Sequence, residues 1–310
     1  MKKYCFGVDV GGTTIKMGLF TVEGELLEKW EIPTRTENQS EAVLPDVAAA
    51  VKGKMEEKGI AKEEVAGVGF GVPGSVTEEG VIVMNANLGW RDKHVSKELE
   101  ELTGLPCKGG NDVKTAGLGE MWRGGAAGYK DAVFITLGTG VGAAIIVNGK
   151  VILGARGAAG EVGHIKVDGE ITQPCGCGGV GCVEQFASAT GIVKMAKRLL
   201  EERDKPSLLR EKEITAKTVF DAVKAGDELA KEVAEKFGHY LGYALAATAA
   251  VVDPEAFIIG GGVSRAGDIL IEYVQKYYVQ YVWPGCRDRK FVLAKLGNDA
   301  GIYGAAKYVI

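Results

Sequence analysis

The chain of 310 residues carries 37 basic and 41 acidic side chains, a net charge of −4, without the basic run or stripe that a nucleic-acid or anionic-membrane surface needs. Its length suits two domains, its apolar content of 46% describes a globular protein with sizeable cores, and it has no apolar stretch of signal-peptide or membrane-span length. Six cysteines in such a chain argue against an oxidised secreted framework, and the expectation is a cytoplasmic protein.

Glycine is the one strong excess, at 46 residues, and it gathers in clusters beside apolar runs. The first cluster opens the chain. YCFGVDV (4–10) reads as a buried strand and IKMGLFTV (15–22) as the next, with Gly11, Gly12, Thr13 and Thr14 as the turn. Backbone amides and two hydroxyls would face an anion there, although a tight hairpin accounts for the glycines equally well. Asp9 either bonds its own turn amides or faces the anion, and Lys16 either supports the anion or points to solvent between Ile15 and Met17. After VEGELLEKWEIP, a further strand, apolar spacing predicts a helix over Ala42–Lys58 that stops at Gly59.

LPCKGGN (105–111) reads as a short strand ending in a Gly-rich corner, with a helix over Val113–Trp122 behind it. Asn111 and Asp112 stand at the junction, where either caps the helix while the free carboxylate remains available as a general base. AVFITL, then Gly138, Thr139 and Gly140, then a second apolar strand, repeats the opening plan about 125 residues later, and VNGKVILGA follows as its further strand. The repeat predicts an internally duplicated fold. Two related domains facing one another would set the two turns on opposite walls of a cleft, a place suited to a nucleoside triphosphate.

His164, Cys175, Cys177 and Cys182 follow on GHIKVDGEITQPCGCGGVGC. Three thiols and one imidazole are a set that tetrahedral zinc selects, and a closed set of four predicts a structural ion. Cys175 and Cys177 are too close to bridge comfortably; Cys5, Cys107 and Cys286 read as small core residues. Glu161 and Glu184 flank the set, so a bound ion would hold two carboxylates near each other. By themselves they read as solvated loop acids, and His164 as a zinc ligand only. Helical spacing continues over Glu184–Glu202, Thr215–Ala225 and Glu228–Val252, the last expected as a central buried helix with His239 at a core or interface position. In IIGGGVSRAG a strand ends at Gly260, Gly261 and Gly262, and a helix is expected from near Ser264.

In order, DVGGTTIK, GVPGSV, NANLGW, ND with GLGE, TLGTGVG, GEVGHI, CGCGGVGCVE, GGGVSRAG and LGNDAGIYGAA resemble the ROK (repressor, open reading frame, kinase) family over nearly the whole chain, and within it most closely the bacterial glucokinases. The resemblance implies an α/β, actin-like ATPase (ribonuclease H-like) duplicated fold of two domains around a central cleft. It implies ATP with Mg2+, a structural Zn2+, and phosphorylation of a hexose at its 6-hydroxyl. Expected boundaries are 1–110 for a smaller amino-terminal domain, joined by the C-terminal helix at about 298–310, and 111–297 for a larger one carrying the zinc loop 164–182.

By the same resemblance Asp112 is the catalytic base, and Asn87, Asn111, Asp112, Glu161, His164 and Glu184 contact the sugar. His164 would then serve twice, with one ring nitrogen on zinc. Asp9, Gly11, Gly12, Thr13, Thr14 and Lys16 belong to the first phosphate turn, Gly138, Thr139 and Gly140 to the second, and Gly261 and Gly262 to the adenosine side. Family members are usually homodimers. Where many of them have Asn two residues after the aspartate, this chain has Lys114, expected on the solvent face and otherwise beside Asp112, where it would lower that carboxyl's pKa or add a phosphate contact. Glucose with ATP is the leading substrate pair; N-acetylmannosamine, mannose, fructose or a polyphosphate donor are the variants. A sugar-sensing repressor would place a helix-turn-helix ahead of DVGGTTIK, where eight residues precede Asp9. A non-catalytic sugar binder is the remaining alternative.

Overall fold

A computed structural model describes every residue except Ala86, Gly169 and Glu170. The chain forms two compact units, Met1–Gly128 with Gly149–Ala159 and Leu296–Ile310, and Tyr129–Asn148 with Gly160–Lys295.

The first unit is built on β1 (Tyr4–Val10), β2 (Thr14–Thr21), β3 (Leu26–Pro33), β4 (Val65–Val72) and β8 (Cys107–Asn111), in the sheet order β3-β2-β1-β4-β8. The β1–β2 and β2–β3 pairs are antiparallel, whereas β4 and β8 run parallel to β1. A small meander of β5 (Ser75–Val76), β6 (Val81–Asn85) and β7 (Trp90–His94) follows β4. Helices α1 (Glu37–Ser40), α2 (Val43–Lys58), α3 (Val95–Thr103), α4 (Asp112–Arg123) and α10 (Ala300–Lys307) complete the unit. Gly59 ends α2 in the left-handed region at φ 63°, where glycine meets no Cβ penalty. Phe6, Ile15, Val47 and Phe70 share one core. On the other face α10 lies directly on the sheet, since a Cβ on Gly7 would meet the Ile302 carbonyl and one on Gly69 the Ala305 carbonyl.

The second unit repeats the plan. β9 (Ala132–Leu137) pairs antiparallel with β10 (Val141–Val147) and parallel with β12 (Ala256–Gly260), which in turn pairs parallel with β13 (Lys290–Leu293). The order β10-β9-β12-β13 matches β2-β1-β4-β8, so the duplication expected from the glycine turns is present in the topology. A two-residue strand, β11 (Lys150–Val151), opens the segment 149–159 of the first unit. Helices α5 (Glu184–Ala187), α6 (Ala189–Glu202), α7 (Ala216–Lys224), α8 (Glu228–Val252) and α9 (Asp268–Tyr281) surround a core that includes Ile135, Val183, Phe237 and Phe257.

Several expectations shift. The break expected between 110 and 111 does not occur, because β8 runs straight into α4 and α4 packs on α10, which keeps Asn111 and Asp112 in the first unit. The helix expected over Glu184–Glu202 breaks at Ser188, whose extended backbone lets its hydroxyl cap α6 by accepting from Gly191 N at 3.0 Å. The helix expected from Ser264 starts at Asp268, after a short 3-10 turn over Gly262–Ala266 and Gly267 at φ 83°. Helix α8 is buried along one side only: Tyr243 and Val251 are 43% and 84% exposed. His239 sits half-buried among Tyr240, Tyr277 and Tyr281 and is hydrogen-bonded to the Tyr281 hydroxyl at 3.0 Å. Cys5, Cys107 and Cys286 are buried, as expected. Among the described residues no helix is long and apolar enough to cross a membrane.

Candidate active site

In the first unit, chemistry collects at the carboxyl ends of the parallel strands β1, β4 and β8, where open α/β sheets carry their ligands. Asp9 is the penultimate residue of β1, and its register partner on β2 is Lys16. Gly11, Gly12, Thr13 and Thr14 form the hairpin turn between them, closed by Gly11 N to Thr14 O at 3.0 Å. Asp9 lies against the first turn of α10, since a Cβ on Gly301 would come within 2.5 Å of its carboxylate. Burial and the negative charge of Asp112 push the Asp9 carboxyl up to about 6, against the pull of Lys16. The Lys16 ammonium itself donates to Asn298 O at 3.2 Å.

β8 ends with Asn111, and of the Asn-Asp pair it is this residue that caps the helix. Asn111 is the N-cap of α4, its Oδ1 accepting from Lys114 N at 3.1 Å, while its Nδ2 donates to Gly74 O at 3.0 Å and to Asp112 Oδ1 at 2.8 Å. Asp112 is therefore the first residue of the helix. Its Oδ1 also accepts from Val113 N at 2.9 Å, so the carboxylate is oriented by its neighbours at a helix N-terminus. Lys114 does not face solvent as expected. It is 2% exposed, and its ammonium donates to the Gly157 carbonyl.

Asn87 is exposed in the turn between β6 and β7, and its amide donates to Asn85 Oδ1 at 2.9 Å. Asn85 was not singled out from the sequence and organises this corner. It is 3% exposed, accepts from Leu88 N at 3.0 Å as well, and donates from Nδ2 to Pro73 O at 2.7 Å. The signal was an asparagine two residues before the turn in NANLG, the spacing of a side chain that bonds backbone ahead of it. Asn85 and Asn111 thus grip the adjacent residues Pro73 and Gly74 from two sides.

In the second unit, Gly138, Thr139 and Gly140 join β9 to β10, closed by Gly138 N to Gly140 O at 3.0 Å. Gly261 and Gly262 follow the neighbouring strand β12, and a Cβ on Gly261, at φ 82°, would meet Leu137 O at 2.5 Å. The two glycine turns are side by side. Helix α6 buttresses the first of them through Ala189 N to Gly138 O at 2.8 Å and Thr190 Oγ1 to Thr139 O at 2.8 Å.

The same unit gathers His164, Cys175, Cys177 and Cys182, whose ligand atoms all lie within 4.8 Å of one another. Cys175 Sγ is 3.8 Å from His164 Nδ1, and Cys177 Sγ is 3.7 Å from Cys182 Sγ. A tetrahedral zinc with sulfur ligands at about 2.3 Å has edges of about 3.8 Å, so the donor set fits that ion. Glu184 links this cluster to the glycine turn: Oε1 is 3.5 Å from Cys175 Sγ, and Oε2 accepts from Val141 N at 2.9 Å. Any side chain at Gly140 would strike that carboxylate. Glu161 is exposed, immediately before the 3-10 turn Val162–His164.

A family model described as the ROK family matches residues 5–310. A glucokinase of Halalkalibacterium halodurans is 42% identical over 308 residues, covering 97% of this chain and 93% of its own. A solved ROK family glucokinase from Streptomyces griseus, in complex with glucose and AMPPNP, is 34% identical with a TM-score of 0.75 over 98% of each chain. The ROK hexokinase of Thermus thermophilus is 31% identical with a TM-score of 0.82, over 98% of this chain and 96% of that one.

Proposed function

The chain belongs to the ROK family, and from that premise we propose that it is an ATP-dependent glucokinase on an actin-like duplicated fold, moving the γ-phosphate of ATP to the 6-hydroxyl of glucose. The observation that carries the reading is Asp112. Its carboxylate stands at the first position of α4, held through Oδ1 by Asn111 and the Val113 amide, and close enough to a second acid, Asp9, for its charge to add to burial in raising the Asp9 pKa.

In this reading Asp112 accepts the proton of the attacking hydroxyl. Asn87, Asn111, Glu161, His164 and Glu184 bind the hexose, and their paired hydrogen bonds penalise the wrong epimer. The turns Gly11–Thr14 and Gly138–Gly140, closed by the Gly11 and Gly138 amides, present the amides of Gly12 and Gly140 and the hydroxyls of Thr13, Thr14 and Thr139 to the phosphates, and Lys16 adds positive charge. Gly261 and Gly262 accommodate the adenosine side. Mg2+, bound beside Asp9, would neutralise charge on the phosphate oxygens. Zn2+ on His164, Cys175, Cys177 and Cys182 would be structural, setting the loop from Glu161 to Glu184. A homodimer belongs to the same reading, supported by the apolar exposure of Tyr243, Val251, Tyr281 and Trp283.

The test is a coupled assay with ATP or polyphosphate across glucose, mannose, fructose, N-acetylglucosamine and N-acetylmannosamine. Glucose with ATP should give the highest kcat/KM, and Asp112→Ala should lower kcat by about 10²–10⁴-fold, the range of a general base. Near wild-type kcat in that variant would remove Asp112 from the chemistry. Comparable turnover of several sugars would make the enzyme a broad hexokinase.

A further inference from the structure

Lys114 is an unusual residue to find buried. It lies in the first turn of α4, two residues beyond Asp112, and is 2% exposed. Taking an ammonium out of water is costly, and a position that needed only packing would be cheaper as Leu or Met. Among the groups the charge meets is the main-chain carbonyl of Gly157, to which the ammonium donates.

Gly157 belongs to a strap at 153–159, closed by Ala159 N to Leu153 O at 3.0 Å. Within 154–159 it is the one buried residue; Gly154, Ala155, Arg156 and Ala158 are exposed and Ala159 is half-buried. Gly154 and Gly157 have φ of 75° and 73°, and a Cβ on Gly157 would stand 2.7 Å from the Val76 carbonyl. The strap therefore rests on the β5 backbone at one point, with almost no buried apolar side chain to hold it, and Lys114 supplies a polar tether at that point. The strap runs in sequence directly into Gly160 and Glu161.

We propose that Lys114 is a positioning residue for the hexose. Its ammonium, in the same helical turn as Asp112, fixes the strap and with it the start of the segment that carries Glu161, and so sets hexose affinity. The inference rests on the glucokinase reading for its substrate, while the tether itself stands on the geometry.

Lys114→Met keeps the stem and removes the charge; Lys114→Arg keeps a charged donor and is the rescue variant. Hydrogen–deuterium exchange should be at least tenfold faster at the amides of 153–159 in Lys114→Met than in the wild type, and near wild-type in Lys114→Arg. KM for glucose should rise at least tenfold in Lys114→Met, with KM for ATP within twofold and kcat within threefold, and Lys114→Arg should recover most of the loss. Unchanged exchange in the strap would overturn the tether, and faster exchange with an unchanged glucose KM would overturn its role in hexose binding. KM values for glucose and ATP rising together would mean general loosening and count against the proposal. If the wild type phosphorylated no hexose, the glucokinase reading would fall while the exchange measurement still decided the tether.

Discussion

Asp9 and Asp112 hold two like charges at the ends of β1 and β8 in one sheet, an arrangement that costs stability and is tolerated where a cation or phosphate chemistry needs it. The cost has a predictable pH dependence. The Asp9 carboxyl, pushed up to about 6 from an ordinary 3.8, binds its proton more tightly folded than unfolded, so the folded state gains stability as pH falls through about 6 toward 4. Above pH 6 the ionised group is a burden. Metal-free Asp9→Asn should therefore be more stable than the wild type at pH 7.5, by on the order of 1–2 kcal/mol, and melt higher, and the difference should vanish near pH 4, where both side chains are neutral. Thermal unfolding across that range checks the sign. A lower melting temperature for Asp9→Asn at pH 7.5 would show that the carboxylate is a net stabiliser through contacts with its turn.

At the scale of elements, α4 carries buried charge at both ends. Glu120, 0% exposed, accepts from Gly125 N at 2.7 Å through Oε2 and from Leu296 N at 2.8 Å through Oε1. Those two amides lie near two of the four places where the chain leaves or re-enters the first unit, after Gly128 and at Leu296. Gln has one acceptor oxygen where Glu has two, so Glu120→Gln should leave one buried N–H facing another donor, a loss of about 2–3 kcal/mol. The melting temperature should drop by about 4–10 °C. A shift within about 1 °C would mean that the backbone bonds around Gly124 to Ala126 hold these segments without the carboxylate. Neither Glu120 nor Lys114 was legible as a structural device in the sequence, because the partners lie 176 and 43 residues away. The strand and turn plan was legible, since strand pairs such as β1–β2 and β9–β10 are local and glycine marks their turns. The capping of α4 was half legible: the residue types named the junction, and only the geometry assigned the cap to Asn111 and the first helical position to Asp112. Helix α9 was misplaced because the glycines after β12 first make a 3-10 turn that periodicity does not register.

At the scale of the whole molecule, the two units have separate cores, Phe6, Ile15 and Phe70 in one, Ile135, Phe237 and Phe257 in the other. Their stabilities need not move together, and unfolding need not be two-state. The four residues of the proposed zinc site all belong to the second unit, on a loop with little apolar burial beyond Cys175, Cys182, Val183 and the turn at Val162. Since a bound ion's free energy becomes folding free energy where no site preforms, metal removal should act on that unit first. Its effect should reach sugar binding through Glu184, which spans Cys175 and the Val141 amide, and through His164 itself. Stripping the metal with a chelator, or making Cys177→Ser, should weaken glucose binding by tenfold or more, about 1.4 kcal/mol. A non-hydrolysable ATP analogue should bind within a few-fold of the untreated protein, because the Gly11–Thr14 hairpin lies in the other unit and the Gly138–Gly140 turn keeps the bonds from α6. Calorimetric titration of both ligands, with metal content measured in parallel, reads the two effects separately. Equal loss of both would mean that the second unit collapses without metal; unchanged glucose affinity would leave the cluster a folding element with no part in recognition.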